Sequence, residues 1–183
     1  IYEDLDTIIN DDESGCRQAT EKLLALGCRR LLLVDVDYLH LDAASVRPDR
    51  STGFLQALNG SSARYRILRF PLIDYDPAVL AAAIEEFSPD GIITATNVAG
   101  LETLSYLTEK NCTHIRFITF DDNRWLEFLR VSAIRQSTRV LTEKIKDEIC
   151  VQSDVPRKIV IPQDLVLRGN CLIDRAVTPS EDT

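Results

Sequence analysis

The chain has 183 residues, 45% of them hydrophobic, and a formal net charge of −8 at neutral pH. That length and apolar content suffice for a buried core in one domain or two small lobes. The acidic balance excludes this segment as a direct binder of duplex DNA, because phosphate contacts need clustered Lys and Arg and no basic run exceeds Arg29-Arg30. If the protein acts on DNA, another part of it makes the contact.

In chain order, Thr7-Ile8-Ile9 predicts a strand, followed by Asp11-Asp12-Glu13, an acidic helix start. Ala19, Leu23, Leu24 and Leu26 recur at helical spacing up to Gly27, a natural stop. Leu31-Leu32-Leu33-Val34 is a continuous apolar run, as in strands buried on both faces. A helix is expected over 50–58, ended by Asn59-Gly60, and a strand over 66–70. Pro77 opens a helix through Phe87, at a position where proline is tolerated. Residues 91–94 read as a strand, 99–107 as a helix and 115–120 as a strand. Strands recur about every 25 to 35 residues, enough for a crossover helix each time, which predicts a doubly wound, mostly parallel α/β sheet. Toward the end the rhythm breaks: a short strand over 131–134, a helix over 140–150, then apolar runs at 158–161 and 165–167. Pro162 forbids one continuous strand there, so the chain is expected to leave one sheet and enter another. From Thr178 onward the polar tail is expected to fray.

The sequence begins at Ile1 and holds no methionine, so it reads as a piece of a longer or processed chain, with any signal peptide upstream. No apolar run is long enough to span a membrane as a helix. The five cysteines (Cys16, Cys28, Cys112, Cys150 and Cys171) form no CxxC pair, and with His40 and His114 they offer no zinc spacing. Buried, reduced thiols of a cytoplasmic protein are expected, without metal or cofactor. No phosphate-binding, zinc-protease or nucleophile-elbow motif is present, and the chain is not expected to be an enzyme.

Ligands of open parallel sheets bind beyond the carboxyl ends of the strands, where strand order reverses. That rule selects Asp35, Asp37, Arg47 and Arg50 after the second strand, Tyr75 after the third, Thr96 and Asn97 after the fourth, and Asp121, Asp122 and Asn123 after the fifth. Carboxylates, amides and a guanidinium beside an aromatic ring suit a polyol or sugar. Each polar residue taken singly is also an ordinary helix cap; their shared edge is what favours a binding site.

Several stretches resemble the LacI/GalR family of bacterial transcription regulators. They are Ile9-Asn10-Asp11-Asp12 with Gly15, Ala19-Thr20-Glu21-Lys22-Leu23 and Leu26-Gly27-Cys28-Arg29-Arg30-Leu31, then Arg50-Ser51-Thr52-Gly53-Phe54-Leu55-Gln56-Ala57-Leu58. Ile118-Thr119-Phe120-Asp121-Asp122, Ala133-Ile134-Arg135-Gln136 and Ile161-Pro162-Gln163-Asp164-Leu165-Val166-Leu167-Arg168 continue the match in order. Residues 120–129 further resemble the fructose repressor (catabolite repressor/activator) branch, whose effectors are phosphorylated sugars.

The resemblance implies a periplasmic-binding-protein-like (type I) lobe with remnants of a second lobe. Residues 1–10 would end the N-terminal lobe, 11–135 form the C-terminal lobe, 136–161 return to the N-terminal lobe, 162–176 come back, and 177–183 form the tail. Such a module senses a small-molecule effector, a sugar or sugar phosphate. It works as a homodimer and reaches operator DNA only through a helix-turn-helix headpiece that this chain lacks. The family's effector contacts fall on Arg50, Tyr75, Asp121, Gln136 and Thr138, with Thr96 and Asn97 where an Asn-Asp pair is usual. Its dimer surface falls near Leu101, Trp125 and Leu129. A stand-alone sugar-binding protein of a transporter and an α/β sugar-phosphate enzyme are the competing readings; free cysteines speak against the first.

Overall fold

The computed structural model of the protein describes residues 6–37, 50–71, 76–149, 151 and 155–171. Its centre is β2 (Arg30–Asp37), whose residues from Leu31 to Val36 are all buried. Successive side chains of a strand point to opposite faces. Leu31 and Leu33 therefore join one core with Leu23, Phe54, Ile93, Ile118 and Phe120. Leu32 and Val34 join a second core with Leu80, Ile84, Ile92 and Leu126. From Leu31 to Val34 the strand is apolar at every position because helices cover both sides.

One face carries α1 (Asp12–Ala25) and α2 (Arg50–Leu58). The Asp11 side chain caps α1 by accepting from Ser14 N at 3.0 Å, which satisfies one of the donors every helix start leaves open. The two helices touch at Gly53, where a Cβ would stand 1.9 Å from the Glu13 carbonyl oxygen. Only a residue without a side chain lets α2 come this close. The other face carries α3 (Pro77–Phe87), α4 (Asn97–Glu109) and the short α5 (Arg124–Phe128). Asp76 caps α3 through Ala78 N at 2.9 Å, with Pro77 in the first turn.

The main sheet has six strands in the order β3 (Arg64–Pro71), β2, β4 (Gly91–Thr94), β5 (Arg116–Phe120), β6 (Ser132–Gln136), β8 (Gln163–Val166). All neighbours are parallel except β6 and β8. The chain lays β3 on one side of β2 and β4 on the other, so the order reverses between β2 and β4. This is the doubly wound, mostly parallel sheet expected from the βα rhythm.

A second, two-stranded parallel sheet pairs β1 (Thr7–Asn10) with β7 (Lys158–Ile161). β7 and β8 are separated by Pro162 alone and lie in different sheets, as the proline predicts. α6 (Thr138–Ile149) lies between the two visits to the small sheet, and none of its described side chains is buried. Arg157 ties it to the strands, pairing with Glu148 at 2.6 Å and with Asp6 at 2.8 Å.

Three details depart from the sequence reading. Asp35 and Asp37 belong to β2 instead of the loop after it, and Asp35 is buried. β8 starts at Gln163, directly after the proline, not at Leu165. α5 was not anticipated, because five residues are too few to display a helical period. The tail from Thr178 lies outside the described residues, and so does Cys150. Among the described residues no helix is long and apolar enough to cross a membrane.

Candidate functional site

Arg50 is the first residue of α2 and is 6% exposed. The Gly53 contact presses that helix onto the start of α1, so the guanidinium meets Asp12 there: Nη2 pairs with Asp12 Oδ2 at 3.2 Å. Nη1 donates to the carbonyl oxygen of Ala95, just past β4. The Phe120 ring lies 4.2 Å from the guanidinium carbon, a cation–π contact strengthened by burial. Nε is buried and has no acceptor among the described residues. Arg50 thus stands at the carboxyl edge where strand order reverses, the place the topology rule selects.

Asp121 follows β5 directly and adopts φ 66°. This left-handed conformation is uncommon outside glycine, although Asp and Asn tolerate it better than most. Its Oδ1 accepts from Gln136 Nε2 at 2.9 Å, and Gln136 Oε1 accepts from Asn10 Nδ2 at 2.9 Å. Asp12 is held on its other oxygen by Gln163 Nε2 at 2.8 Å. Gly15 makes room for that glutamine: a Cβ there would meet Gln163 Oε1 at 2.3 Å. The ends of β1, β5 and β6, the starts of α1 and α2 and the first residue of β8 therefore converge on one polar cluster.

Burial raises the Asp121 carboxyl above the usual range, against the pull of Arg50 and with a further push from Asp12. Burial likewise raises Asp12, opposed by Arg50 and by the Gln163 hydrogen bond. Asp12 pairs with the guanidinium, whereas Asp121 feels its charge without an ion pair to it. Beneath them Cys16, fully buried in α1, is pushed up to about 12 by burial and the nearby Asp35, so it is an inert core thiol.

Three of the sequence-selected residues, Arg50, Asp121 and Gln136, meet in this cluster. Thr96 and Asn97 lie on the same edge but are engaged locally. Thr96 caps α4 by accepting from Ala99 N at 3.3 Å, and Asn97 Oδ1 accepts from Asn123 Nδ2 at 2.5 Å. Thr138 opens α6 and is exposed. Tyr75 and Arg47 lie outside the described residues. Asn10, Asp12 and Gln163 are the members that sequence reasoning missed. Asp12 reads in the sequence as an acidic first-turn residue, and only the α1–α2 contact brings Arg50 to it. Leu101 and Leu129 are 53% and 55% exposed, whereas Trp125 packs partly against the second core. Phe128, 81% exposed, adds to the surface near Leu129.

Asp122, next to the cluster, serves a different purpose. Its side chain is 5% exposed and is clamped by Arg168, at 2.7 and 3.0 Å, and by Arg135 at 2.7 Å. Burial pushes its carboxyl up, but the hydrogen bonds from Arg168 and Arg135 outweigh this and hold it below the usual range. A folded value below the unfolded one gives stability that is present above the unfolded pKa and lost as pH falls through the folded one. Arg168→Ala is expected to cost on the order of 2–3 kcal/mol at pH 7, less than a fully unpaired buried charge because Arg135 remains. Urea denaturation at pH 7 and pH 3 checks this, and the deficit should shrink at the lower pH.

Solved structures share this fold. A transcription-regulator-like protein from Staphylococcus haemolyticus superposes with a TM-score of 0.72 at 22% identity, over 92% of this chain and 62% of its own. A periplasmic binding protein/LacI transcriptional regulator from Alkaliphilus metalliredigens QYMF, complexed with D-xylulofuranose, gives 0.72 at 19% over 91% and 65%. A LacI family transcriptional regulator from Enterococcus faecium, with bound ribose, gives 0.71 at 17% over 89% and 64%. No protein-family model matches the sequence, and no curated protein matches it. The chain spans less than two thirds of the length of these three structures. It has the α/β fold of LacI-type regulators and periplasmic binding proteins.

Proposed function

We propose that this chain is the effector-sensing part of a LacI-type transcription regulator, binding a small sugar or sugar phosphate at the carboxyl edge of its main sheet. The observation that carries this reading is the meeting of Arg50, Asp121 and Gln136 at the point where strand order reverses. A buried donor that has no acceptor among the described residues, beside a carboxylate, matches adjacent hydroxyls, which donate and accept at once. The sugars bound to two proteins of the same fold support the same class of ligand. In this reading Tyr75, Thr96, Asn97 and Thr138 complete the contacts.

The small sheet and α6 are then the part of a second lobe that this chain supplies. The exposure of Ile145 and Val160, 44% and 46%, supports a covering layer contributed by a longer protein. Leu101, Trp125 and Leu129 form the dimer surface. Operator DNA is contacted by a headpiece outside this chain, and the regulator works in the cytoplasm.

A thermal-shift screen against sugars and sugar phosphates tests the reading. A ligand at 100 times its Kd adds about 2.7 kcal/mol of stability, several degrees for a protein of this size. A shift lost in Asp121→Ala is the expected result. The absence of a shift with every compound, on protein that melts cooperatively, counts against the sugar assignment.

A further inference from the structure

Among the described residues the cluster holds more carboxylates than cations. Asp12 and Asp121 face a single guanidinium, and Arg50 is committed: one terminal nitrogen to Asp12 at 3.2 Å, the other to the Ala95 carbonyl. Asp121 takes only an uncharged amide donor, Gln136, on Oδ1. No described basic side chain forms an ion pair with it. Arg135 on β6 and Arg168 after β8 are both spent on Asp122. A partly buried carboxylate without a paired cation costs free energy until something positive arrives.

We propose that Asp12, by holding the Arg50 guanidinium, leaves Asp121 as a surplus carboxylate and so selects an effector that carries an ammonium group beside its hydroxyls, an amino sugar or related amino polyol. The ammonium pairs with Asp121 and restores neutrality. Hydroxyl oxygens take the remaining donor, the buried Arg50 Nε, which has no acceptor among the described residues. A phosphate meets the opposite field and is rejected. Asp12 is then a specificity-determining residue that acts through Arg50. This inference rests on the reading that the cluster is the effector site.

The test is calorimetric titration of the 183-residue chain at pH 6.5 with matched trios: D-glucose, D-glucosamine and glucose 6-phosphate, and the corresponding galactose and mannose compounds. On one frame the amino sugar should bind at least about tenfold tighter than the neutral sugar, the scale of one close charge pair, and the phosphate should not bind. Asp12→Asn, confirmed folded by its circular-dichroism melt, frees Arg50 for Asp121 and should narrow that preference to within about threefold. A second readout needs no variant. The amine stays protonated in acid, so its affinity should fall more steeply with falling pH than that of its neutral parent, as Asp121 takes up a proton beside Asp12, Arg50, Gln136 and Asp35.

Neutral sugars or phosphates binding as tightly as the amines overturn the inference while leaving the sugar-sensor reading intact. An Asp12→Asn protein that keeps the full amine preference overturns the role of Asp12. Binding of no compound in any trio sinks both.

Discussion

Arg50→Met is expected to cost the folded protein about 3–5 kcal/mol at neutral pH, the usual penalty for stripping a buried carboxylate of its cation. The side chains of Arg50 and Asp12 are only 7% and 12% exposed, so water does not replace the lost partner. Methionine keeps much of the volume over the Phe120 ring, and the loss is therefore mainly electrostatic. It should depend on pH with a defined sign. Without the guanidinium, Asp12 and Asp121 lose the charge that lowers them and rise further above the unfolded value of 3.8. The folded variant then takes up protons that the unfolded chain does not. The penalty is in force above the folded pKa and fades as pH falls through it. Urea denaturation at pH 7 and pH 5 measures this; a loss below about 1 kcal/mol at both would mean that the pair is solvated.

Gly53→Ala should be nearly as damaging, although alanine is the better helix former. The intrinsic gain is about 1 kcal/mol. Against it stands a Cβ placed 1.9 Å from the Glu13 carbonyl oxygen, with the Arg17 backbone nitrogen at 3.1 Å. Both obstacles are backbone of a packed helix, so neither can swing aside, and α2 must move outward as a body. Overpacking of this kind costs about 3 kcal/mol, which decides the sign. Denaturation followed by circular dichroism checks it; an unchanged or raised midpoint would show that α2 has room to shift. Arg50 rides on the same helix one turn earlier, so the displacement should also loosen its grip on Asp12 and weaken any effector bound there.

The readable parts of this fold were those with a long or strict period. β2 announces itself through four consecutive apolar residues, and α3 through Pro77 and a regular run to Phe87. Pro162 marks the change of sheet because it cannot donate to a ladder. α5 escaped because its five residues show no period, and the extension of β2 to Asp37 escaped because acidic residues are poor strand signals. For the site, the edge rule and the family resemblance led to Arg50, Asp121 and Gln136. Asp12 and Gln163 could not be found in that way. Asp12 meets Arg50 only through the close crossing at Gly53, and Gln163 reaches Asp12 only through the gap at Gly15, contacts between elements far apart in sequence.

The small sheet bears on how the protein is made. Among the described residues β1 has β7 as its one strand partner, and Arg157 reaches back 151 residues to Asp6. Closing so large a loop is slow, and non-local parallel pairing comes late. As the chain leaves the ribosome, the six-stranded sheet can collect β2 through β6 from near neighbours, while the β1–β7 ladder must wait until residue 161 has emerged. The short β1–β7 ladder is thus the last of these pairings to form, and the natural place for the native protein to begin to come apart.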